Sequence, residues 1–425
     1  MKIVCGPEGF DFDQHEADLS IILYGSTNDP TKGAIGGGIP GALRKARLIS
    51  EPVAWDLISL ALSVFAADLA GHRAQSPDGW TRSFDLQVAV SAPEVWTSCK
   101  QNVESLLRFL TTDIWAVSFI AGGVVPEPHP KAVPLHVDAA VLLSGGLDSL
   151  IGAIDRGRVG KKLIAVSQIV RGDGEKQELF ASAISGIKQH LRLSHAEHIP
   201  NIESPASQRS RSLLFLSYGV LAATSIAKYR QGGDVDLFVC ENGFIAINPP
   251  LTLGRVGSLS TRTTHPVVFA HLRAILADLK LRVNVINPYA AKTKGEMLSD
   301  CKDQPLLQSL GTQSTSCSRF KQYGYKHCGR CVPCLVRRAA FERWKGSDNT
   351  IYRFDDLGRD DPDYAGFDDV RSAMMAISES KRLGTKRWLG ATLSSGLIGD
   401  KDALRDVARR GLDELESLLV KLKVQ

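Results

Sequence analysis

The chain has 425 residues, of which 44% are hydrophobic and 23% are charged, and its formal net charge is +5. This length predicts two or three domains with enough chain to bury a core. The composition is that of a folded globular protein, and so small a net charge does not indicate nucleic-acid binding, although it leaves nucleic acid open as a partner.

The N-terminal segment and the apolar stretches argue against secretion and membrane insertion. The first residues become acidic soon after Met1 and contain no apolar signal core. The stretches 57–69 and 114–125 are too short to span a bilayer, and Asp68 interrupts the first. Four of the eight cysteines are clustered, which favours a metal site in a reducing compartment over disulfides. We therefore expect a cytoplasmic protein with no membrane segment.

Residues 1–125 are predicted to form an α+β accessory domain. Strands are expected at 19–24 and 84–90, and helices at 53–70 and 95–110. The aromatic segment 113–119 is expected to pack in the core, and binding of a partner is the alternative. Gly36, Gly38 and Gly41 match the dinucleotide pattern GxGxxG, but no clear strand leads into them and Pro40 indicates a loop, so we do not expect a cofactor there. The proline-rich residues 126–135 are predicted to be an extended linker.

A candidate phosphate-binding loop follows this linker. Residues 137–143 are apolar, as in a strand buried on both faces, and helical spacing begins after the loop. Gly145 and Gly146 allow the backbone to approach an anion, the helix N-terminus favours negative charge, and Ser144 and Ser149 add hydroxyl donors. The loop has no lysine of the Walker type, so a γ-phosphate kinase is not expected. The alternative is a Ser/Gly turn that only connects strand to helix.

The pattern over residues 136–300 alternates between strand and helix, which predicts an α/β fold with a doubly wound parallel sheet. Expected elements after the loop are strands at 163–169, 196–199, 235–240 and 283–287, and helices at 176–193, 210–228 and 264–279. Ligands bind beyond the carboxyl ends of such strands, where the loop, residues 170–174, Glu241 and residues 287–288 fall. Glu241 either contacts substrate or caps the end of its strand.

A zinc-binding module is predicted for residues 301–345. Its proposed ligands have ten, two and two residues between them and are Cys317, Cys328, Cys331 and Cys334. Four thiolates at this spacing suit a tetrahedral structural zinc, while an iron–sulfur cluster is an alternative, as is His327 in place of one cysteine. The basic residues around them either steer an anionic substrate or form a solvated face; they are Arg319, Lys321, Lys326, Arg330, Arg337 and Arg338.

Residues 346–425 are predicted to be mainly helical. Asp400 is the expected N-cap of a final helix with one apolar stripe, formed by Leu404, Val407, Ala408, Leu415, Leu418, Leu419 and Leu422. We expect this stripe to pack on the chain's own domain, with a partner protein as the alternative.

The segment LSGGLDSLIGA, residues 143–153, resembles the PP-loop of the ATP pyrophosphatases. This resemblance implies that the loop binds ATP and holds the β and γ phosphates as a pyrophosphate leaving group, while the α-phosphorus is attacked. It places Mg²⁺ beside Asp148. The implied ATP-binding residues are Leu143, Ser144, Gly145, Gly146, Leu147, Asp148 and Ser149.

Over residues 136–345 the chain resembles the QueC family, the 7-cyano-7-deazaguanine synthases. Residues 211–217 are similar to that family's Arg-Asn-x-x-Phe-Leu-Ser helix with Ser212 in place of Asn, and residues 287–296 and 328–338 are similar to its Pro…Thr-Lys-x-Glu segment and zinc knuckle. The resemblance implies ATP-dependent adenylation of the carboxylate or amide of a 7-deazaguanine, such as 7-carboxy-7-deazaguanine, with release of AMP and pyrophosphate. Lys294 or Arg211 then stabilises developing negative charge, unless these side chains serve only as ordinary ion-pair or surface residues.

Two departures from the compact QueC enzyme are visible. The N-terminal domain and the C-terminal helices are additional, and the segment around Glu241 does not match the expected base-binding segment. The larger architecture resembles the QueC-like proteins of bacterial anti-phage systems, most closely the QatC family. That resemblance implies protein partners from a defence operon and transfer of a deazaguanine to a partner. The alternatives are another PP-loop enzyme, such as a nucleic-acid thiolase or an amide-forming ligase, and a non-catalytic nucleotide-sensing scaffold.

Overall fold

Two parallel five-stranded sheets form the frame of the protein in a computed structural model that describes residues 1–170, 172–202, 209–252, 262–358 and 369–424. The first sheet has the order β3-β2-β1-β4-β5 and contains β1 (Lys2–Pro7), β2 (Leu19–Leu23), β3 (Gly33–Ile35), β4 (Ser83–Val90) and β5 (Ile114–Ala121). The second has the order β10-β9-β6-β7-β8 and contains β6 (Ala139–Leu142), β7 (Leu163–Gln168), β8 (Ile187–Leu193), β9 (Val235–Phe238) and β10 (Val283–Ile286). Every named pair of neighbouring strands is parallel, which confirms the α/β class.

The N-terminal unit is itself a parallel α/β sheet, whereas its mixture of elements predicted α+β. Its helices are α1 (Ile39–Lys45), α2 (Pro52–Ala70) and α3 (Pro93–Thr111). Within the described residues, the links from β1 to β2 and from β2 to β3 contain no α-helix, so the sequence lacks the alternation that marks parallel strands. The expectation that no strand precedes the glycine-rich segment was also wrong, because β3 leads into Gly36 and α1 begins at Ile39.

Helix α2 is long and apolar enough to cross a membrane by composition, but 94% of its apolar window is buried inside the protein. It packs between the first sheet and α6 (Arg211–Thr224), while α3 packs on α9 (Pro266–Asp278). The two sheets thus share a central layer of helices and one continuous hydrophobic core. The aromatic segment predicted for the core contributes there, since Trp115 is 6% exposed and stacks on Phe84.

The second sheet carries the remaining helices of the central region, which are α4 (Leu147–Arg158), α5 (Gly174–Ala183), α6, α7 (Ala227–Arg230), α8 (Gly243–Ala246), α9, α10 (Lys294–Ser299) and α11 (Gln304–Leu310). The helix predicted at 176–193 was wrong in its second half, because α5 ends at Ala183 and the chain returns as β8. Gly186 makes this turn possible: a Cβ there would lie 2.4 Å from the Cα of Gly157. The predicted strand at 196–199, which lies within the described residues, does not form; His198 makes only an isolated β-bridge to Ala34.

Residues 122–138, all of which the structure describes, contain no helix or named strand. The C-terminal part contains the helices α12 (Val332–Trp344), α13 (Asp369–Leu383), α14 (Thr385–Trp388) and α15 (Lys401–Lys421), whereas the described residues 346–358 and 389–400 contain none. Asp400 caps α15 as predicted, since its Oδ1 accepts the backbone N–H of Ala403 at 2.9 Å. The apolar stripe of α15 packs on α8, α12 and α13 within this chain, except that Leu422 is 38% exposed.

Candidate active site

The glycine loop lies at the carboxyl edge of the second sheet, where β6 ends and α4 begins. Gly145 has φ +89°, a conformation that favours glycine, and Gly146 is the N-cap of α4. The hydroxyl of Ser149 accepts the backbone N–H of Ser144 at 3.2 Å and donates to the carbonyl of Gly146 at 2.9 Å. The two serines therefore stabilise a turn at the N-terminus of α4. The positive end of the helix dipole makes this turn suited to bind an anion.

Asp148 and Lys294 meet directly behind this loop. The Nζ of Lys294 lies 2.6 Å from one carboxylate oxygen of Asp148, and both residues are only 8% exposed. The other oxygen accepts the backbone N–H of Asn242 at 3.1 Å and its side-chain amide at 2.7 Å. Two separate segments, at Asn242 and at Lys294, thus converge on one carboxylate at the start of α4.

Glu241 lies at the same sheet edge, one residue before Asn242. Its backbone is held by the side chain of Asn287, which accepts its N–H at 3.3 Å and donates to its carbonyl at 2.8 Å. Its carboxylate accepts the hydroxyl of Thr264. Glu241 therefore links the ends of β9 and β10 with the segment before α9, close to the Asp148 cluster.

Another group of polar residues borders the glycine loop on the side of α5. Asp173 lies against the loop, since a Cβ on Gly145 would be 3.3 Å from the Cβ of Asp173. Thr315 donates to Asp173 at 2.8 Å and accepts from the Nζ of Lys176 at 2.5 Å. Arg211 interacts electrostatically with Asp173, and burial lowers the pKa of both Arg211 and Lys176. The acids that interact with Arg211 are thus Asp173 and Glu197 rather than Asp148.

The four predicted metal ligands form one buried cluster, in which all four sulfur atoms lie within 4.8 Å of one another. Tetrahedral zinc with Zn–S bonds of about 2.3 Å separates its sulfurs by about 3.8 Å. The Cys328–Cys334 and Cys331–Cys317 pairs lie at 3.9 Å and 3.8 Å. Backbone N–H groups also donate to the sulfurs of Cys317 and Cys328 at 3.3 Å, which stabilises thiolates. The donor set therefore fits a zinc ion.

His327 is not part of this cluster, because its Nε2 accepts the backbone N–H of Ser316 at 3.1 Å. Three of the basic residues predicted to steer substrate or face solvent are buried or tied down instead. Arg337 is fully buried and donates to Ser314, Gly311 and other groups, Arg330 donates to backbone carbonyls, and Arg338 pairs with Asp355. Lys321 and Lys326 are exposed.

The structure brings most of the predicted site residues together at one sheet edge. The loop residues, Asp148 and Lys294 form one cluster with Glu241 beside it. Arg211 interacts with Asp173 instead, and the cysteines form a separate centre. The sequence had predicted that Asp173, within residues 170–174, and Asn242, next to Glu241, lie at this edge, but it did not identify Lys176 or Thr315. Lys176 lies in the first turn of the helix that follows such a strand end, and Thr315 lies two residues before the first cysteine; these positions are the signals that could have found them.

No known protein-family profile matches the chain. It is similar to three proteins named 7-cyano-7-deazaguanine synthase. That of Agrobacterium fabrum is 26% identical over 249 residues, covering 53% of this chain and 92% of the relative. Those of Allorhizobium ampelinum and Mesorhizobium japonicum are each 24% identical, covering 53% and 51% of this chain and 93% and 94% of the relative. About half of this chain thus resembles nearly the whole of each relative.

Proposed function

We propose that this protein is an ATP-dependent QueC-like enzyme that adenylates the carboxylate, or the derived amide, of a 7-deazaguanine such as 7-carboxy-7-deazaguanine. The observation that carries the proposal is the SGGLDS loop with the buried Asp148–Lys294 pair directly behind it, at the edge of a parallel sheet where ligands bind. The similarity to three 7-cyano-7-deazaguanine synthases supports the choice of substrate class.

The reaction begins with attack of a carboxylate oxygen on the α-phosphorus of ATP. The bond from that phosphorus to the bridging oxygen breaks, and pyrophosphate leaves with the electron pair. Backbone N–H groups of the loop and the hydroxyl of Ser144 bind the leaving pyrophosphate, while Ser149 holds the loop in shape. Lys294, which pairs with Asp148, and Lys176 and Arg211, which interact with groups beside the loop, would offset its charge. An amine then attacks the acyl carbon, AMP leaves, and an amide results.

Mg²⁺ would neutralise phosphate charge in this site, and carboxylate oxygens are the ligands that it prefers. Asp148 and Asp173 supply such oxygens on two sides of the loop. Zinc has a separate place in the four-cysteine cluster, where it would hold the polar module together and take no part in the reaction.

The additional N-terminal sheet and C-terminal helices support a role beyond the compact biosynthetic enzyme. We propose that the protein works in the cytoplasm as the QueC-like component of a bacterial anti-phage complex of the QatC type. In that setting a protein partner from the same operon supplies the amine, and ammonia or a nucleic acid is the alternative acceptor.

A thiolase is disfavoured by the cysteines outside the metal cluster. Cys5, Cys99, Cys240 and Cys301 are all buried, and burial raises the pKa of each thiol to about 11 or 12. A thiol in such an environment is a poor nucleophile or sulfur carrier. A nucleotide-sensing scaffold would bind ATP without releasing pyrophosphate.

Pyrophosphate release from ATP in the presence and absence of 7-carboxy-7-deazaguanine tests the proposal, with mass spectrometry of the products and of co-expressed partners. We expect release to require the deazaguanine and to be lost in Asp148→Ala. ATP binding without any deazaguanine-dependent release would overturn the enzyme proposal and favour the scaffold.

A further inference from the structure

Glu414 is a buried acid on the C-terminal helix α15, and it reaches the N-terminus of α10. The residue is 7% exposed. Its carboxylate accepts the hydroxyl of Thr293 and, at 3.3 Å, the backbone N–H of Gly295. The Nε of Arg343 also lies 3.3 Å from it. A carboxylate is rarely buried unless such partners offset the loss of water, so this contact is specific.

The helix that Glu414 contacts begins with Lys294, whose ammonium pairs with Asp148. Thr293 caps α10 in a capping box with Glu296, since each side chain accepts the other residue's backbone N–H. Glu414 extends this cap by binding the hydroxyl of Thr293 and one more N–H of the first turn. The residues on either side of Lys294 are thus held by the same carboxylate.

The close approach of α15 depends on Gly295. A Cβ at this position would lie 2.5 Å from the Cδ of Arg343 and 2.7 Å from a carboxylate oxygen of Glu414. A side chain there would push the acid away from the first turn of α10. The packing therefore brings Glu414 to the backbone that carries Lys294. Two helices that touched only through their side-chain surfaces would need neither a glycine nor a buried charge at this point.

We propose that Glu414 is a positioning residue, which fixes the first turn of α10 and thereby holds Lys294 against Asp148 beside the phosphate loop. The C-terminal helix then completes the nucleotide site through the first turn of α10. The inference rests on the proposed function only for the role of Lys294 in binding the charged phosphates.

The test compares Glu414→Ala and Glu414→Gln with wild type, and Glu416→Gln serves as the control. Glu416 lies on the same helix but forms an exposed pair with Lys381. Binding of MgATP is measured by calorimetry and pyrophosphate release by steady-state kinetics. We expect Glu414→Ala to weaken MgATP binding or slow release by about 10-fold or more, Glu414→Gln to retain part of the function through its remaining acceptor oxygen, and Glu416→Gln to behave as wild type.

A double-variant cycle with Lys294→Met separates positioning from a general structural role. If Glu414 acts through Lys294, Glu414→Ala has little further effect on MgATP binding once Lys294 is replaced. Independent, multiplicative losses in the double variant would overturn the proposal, as would wild-type binding and release in Glu414→Ala. If Glu414→Ala does not fold, the same cycle is run with Glu414→Gln.

The outcomes also separate this inference from the proposed function. Wild-type protein that binds MgATP but releases no pyrophosphate with 7-carboxy-7-deazaguanine would contradict the proposed substrate. The binding cycle between Glu414 and Lys294 would still decide whether the acid positions the lysine.

Discussion

Thr315 donates its backbone N–H to the carbonyl of Gly145 at 3.0 Å, so the segment that enters the cysteine cluster is paired with the glycine loop. Cys317 follows two residues later, and the buried Arg337 of the module fixes the carbonyl of Ser314 at 3.2 Å. Order in the cysteine cluster is thereby coupled to the geometry of the loop.

Removal of the metal should therefore weaken nucleotide binding. We expect the purified protein to contain one zinc per chain and its dissociation constant for MgATP to rise about tenfold or more after chelation, because the segment that carries Thr315 is no longer anchored by the metal centre. Metal analysis and calorimetry on the same sample measure both quantities. Lys321→Ala, an exposed change in the same module, should keep both zinc and affinity. Zinc-free protein that binds MgATP as tightly as metal-loaded protein would contradict the coupling.

Replacement of one member of the Asp148–Lys294 pair should destabilise the fold as well as abolish turnover. Each residue is 8% exposed, and leaving one buried charge without its partner costs about 3–5 kcal/mol. Asp148→Asn and Lys294→Met should each lower the melting temperature, and the double variant should recover part of the loss. Pyrophosphate release should stay at least about 100-fold below wild type in all three. Single variants as stable as wild type would show that the pair is not buried as described.

Replacement of Lys176 tests whether the polar residues between the glycine loop and α5 bind phosphate. Its Nζ contacts Thr315 and lies 3.7 Å from Asp173, next to the loop. Lys176→Met should raise the KM for ATP by about tenfold, which corresponds to about 1.4 kcal/mol of lost phosphate binding. Lys188→Met, which removes an exposed lysine from β8, is the matched control. An unchanged KM would show that Lys176 does not bind the phosphates of ATP.

The free energy of unfolding should depend on pH in a way that reveals the raised pKa of Glu414. Burial raises the pKa of its carboxyl from 4.5 to about 7, so between these values the folded protein binds more protons than the unfolded chain. The free energy of unfolding of wild type should then fall relative to Glu414→Gln as the pH rises through this window, by on the order of 3 kcal/mol.

Urea unfolding at several pH values measures this difference. Arg343 and Glu296 face Glu414 from α12 and α10, and Arg410 lies on its own helix. All three are present in both proteins, so their own titration cancels in the comparison. Parallel pH profiles for wild type and Glu414→Gln would contradict the raised pKa.

Local patterns predicted the second sheet and the loop well because their signals are short-range. The apolar run before Ser144, the two glycines and the cysteine spacing each depend on a few adjacent residues, and the four cysteines do form one cluster. The edge strand β8 was misread as helix because the turn before it requires the close contact of Gly186 with Gly157, which is distant in sequence.

The parts that sequence could not predict depend on contacts between distant segments. Asp148 and Lys294 are 146 residues apart, and Glu414 lies 119 residues beyond Gly295. No local period indicates which lysine will meet which carboxylate. Similarly, Arg337 is read as a surface charge from its basic neighbours, but it is fully buried because Ser314, Gly311 and Thr350 supply its acceptors.

The most direct test of the central claim is the fate of the substrate's carboxylate oxygen. 7-Carboxy-7-deazaguanine labelled with oxygen-18 in its carboxylate is incubated with the protein, MgATP and an amine, and the nucleotide products are analysed by mass spectrometry. Adenylation of the carboxylate predicts AMP that carries one labelled oxygen, together with pyrophosphate. Unlabelled AMP, or ADP with phosphate, would contradict the account.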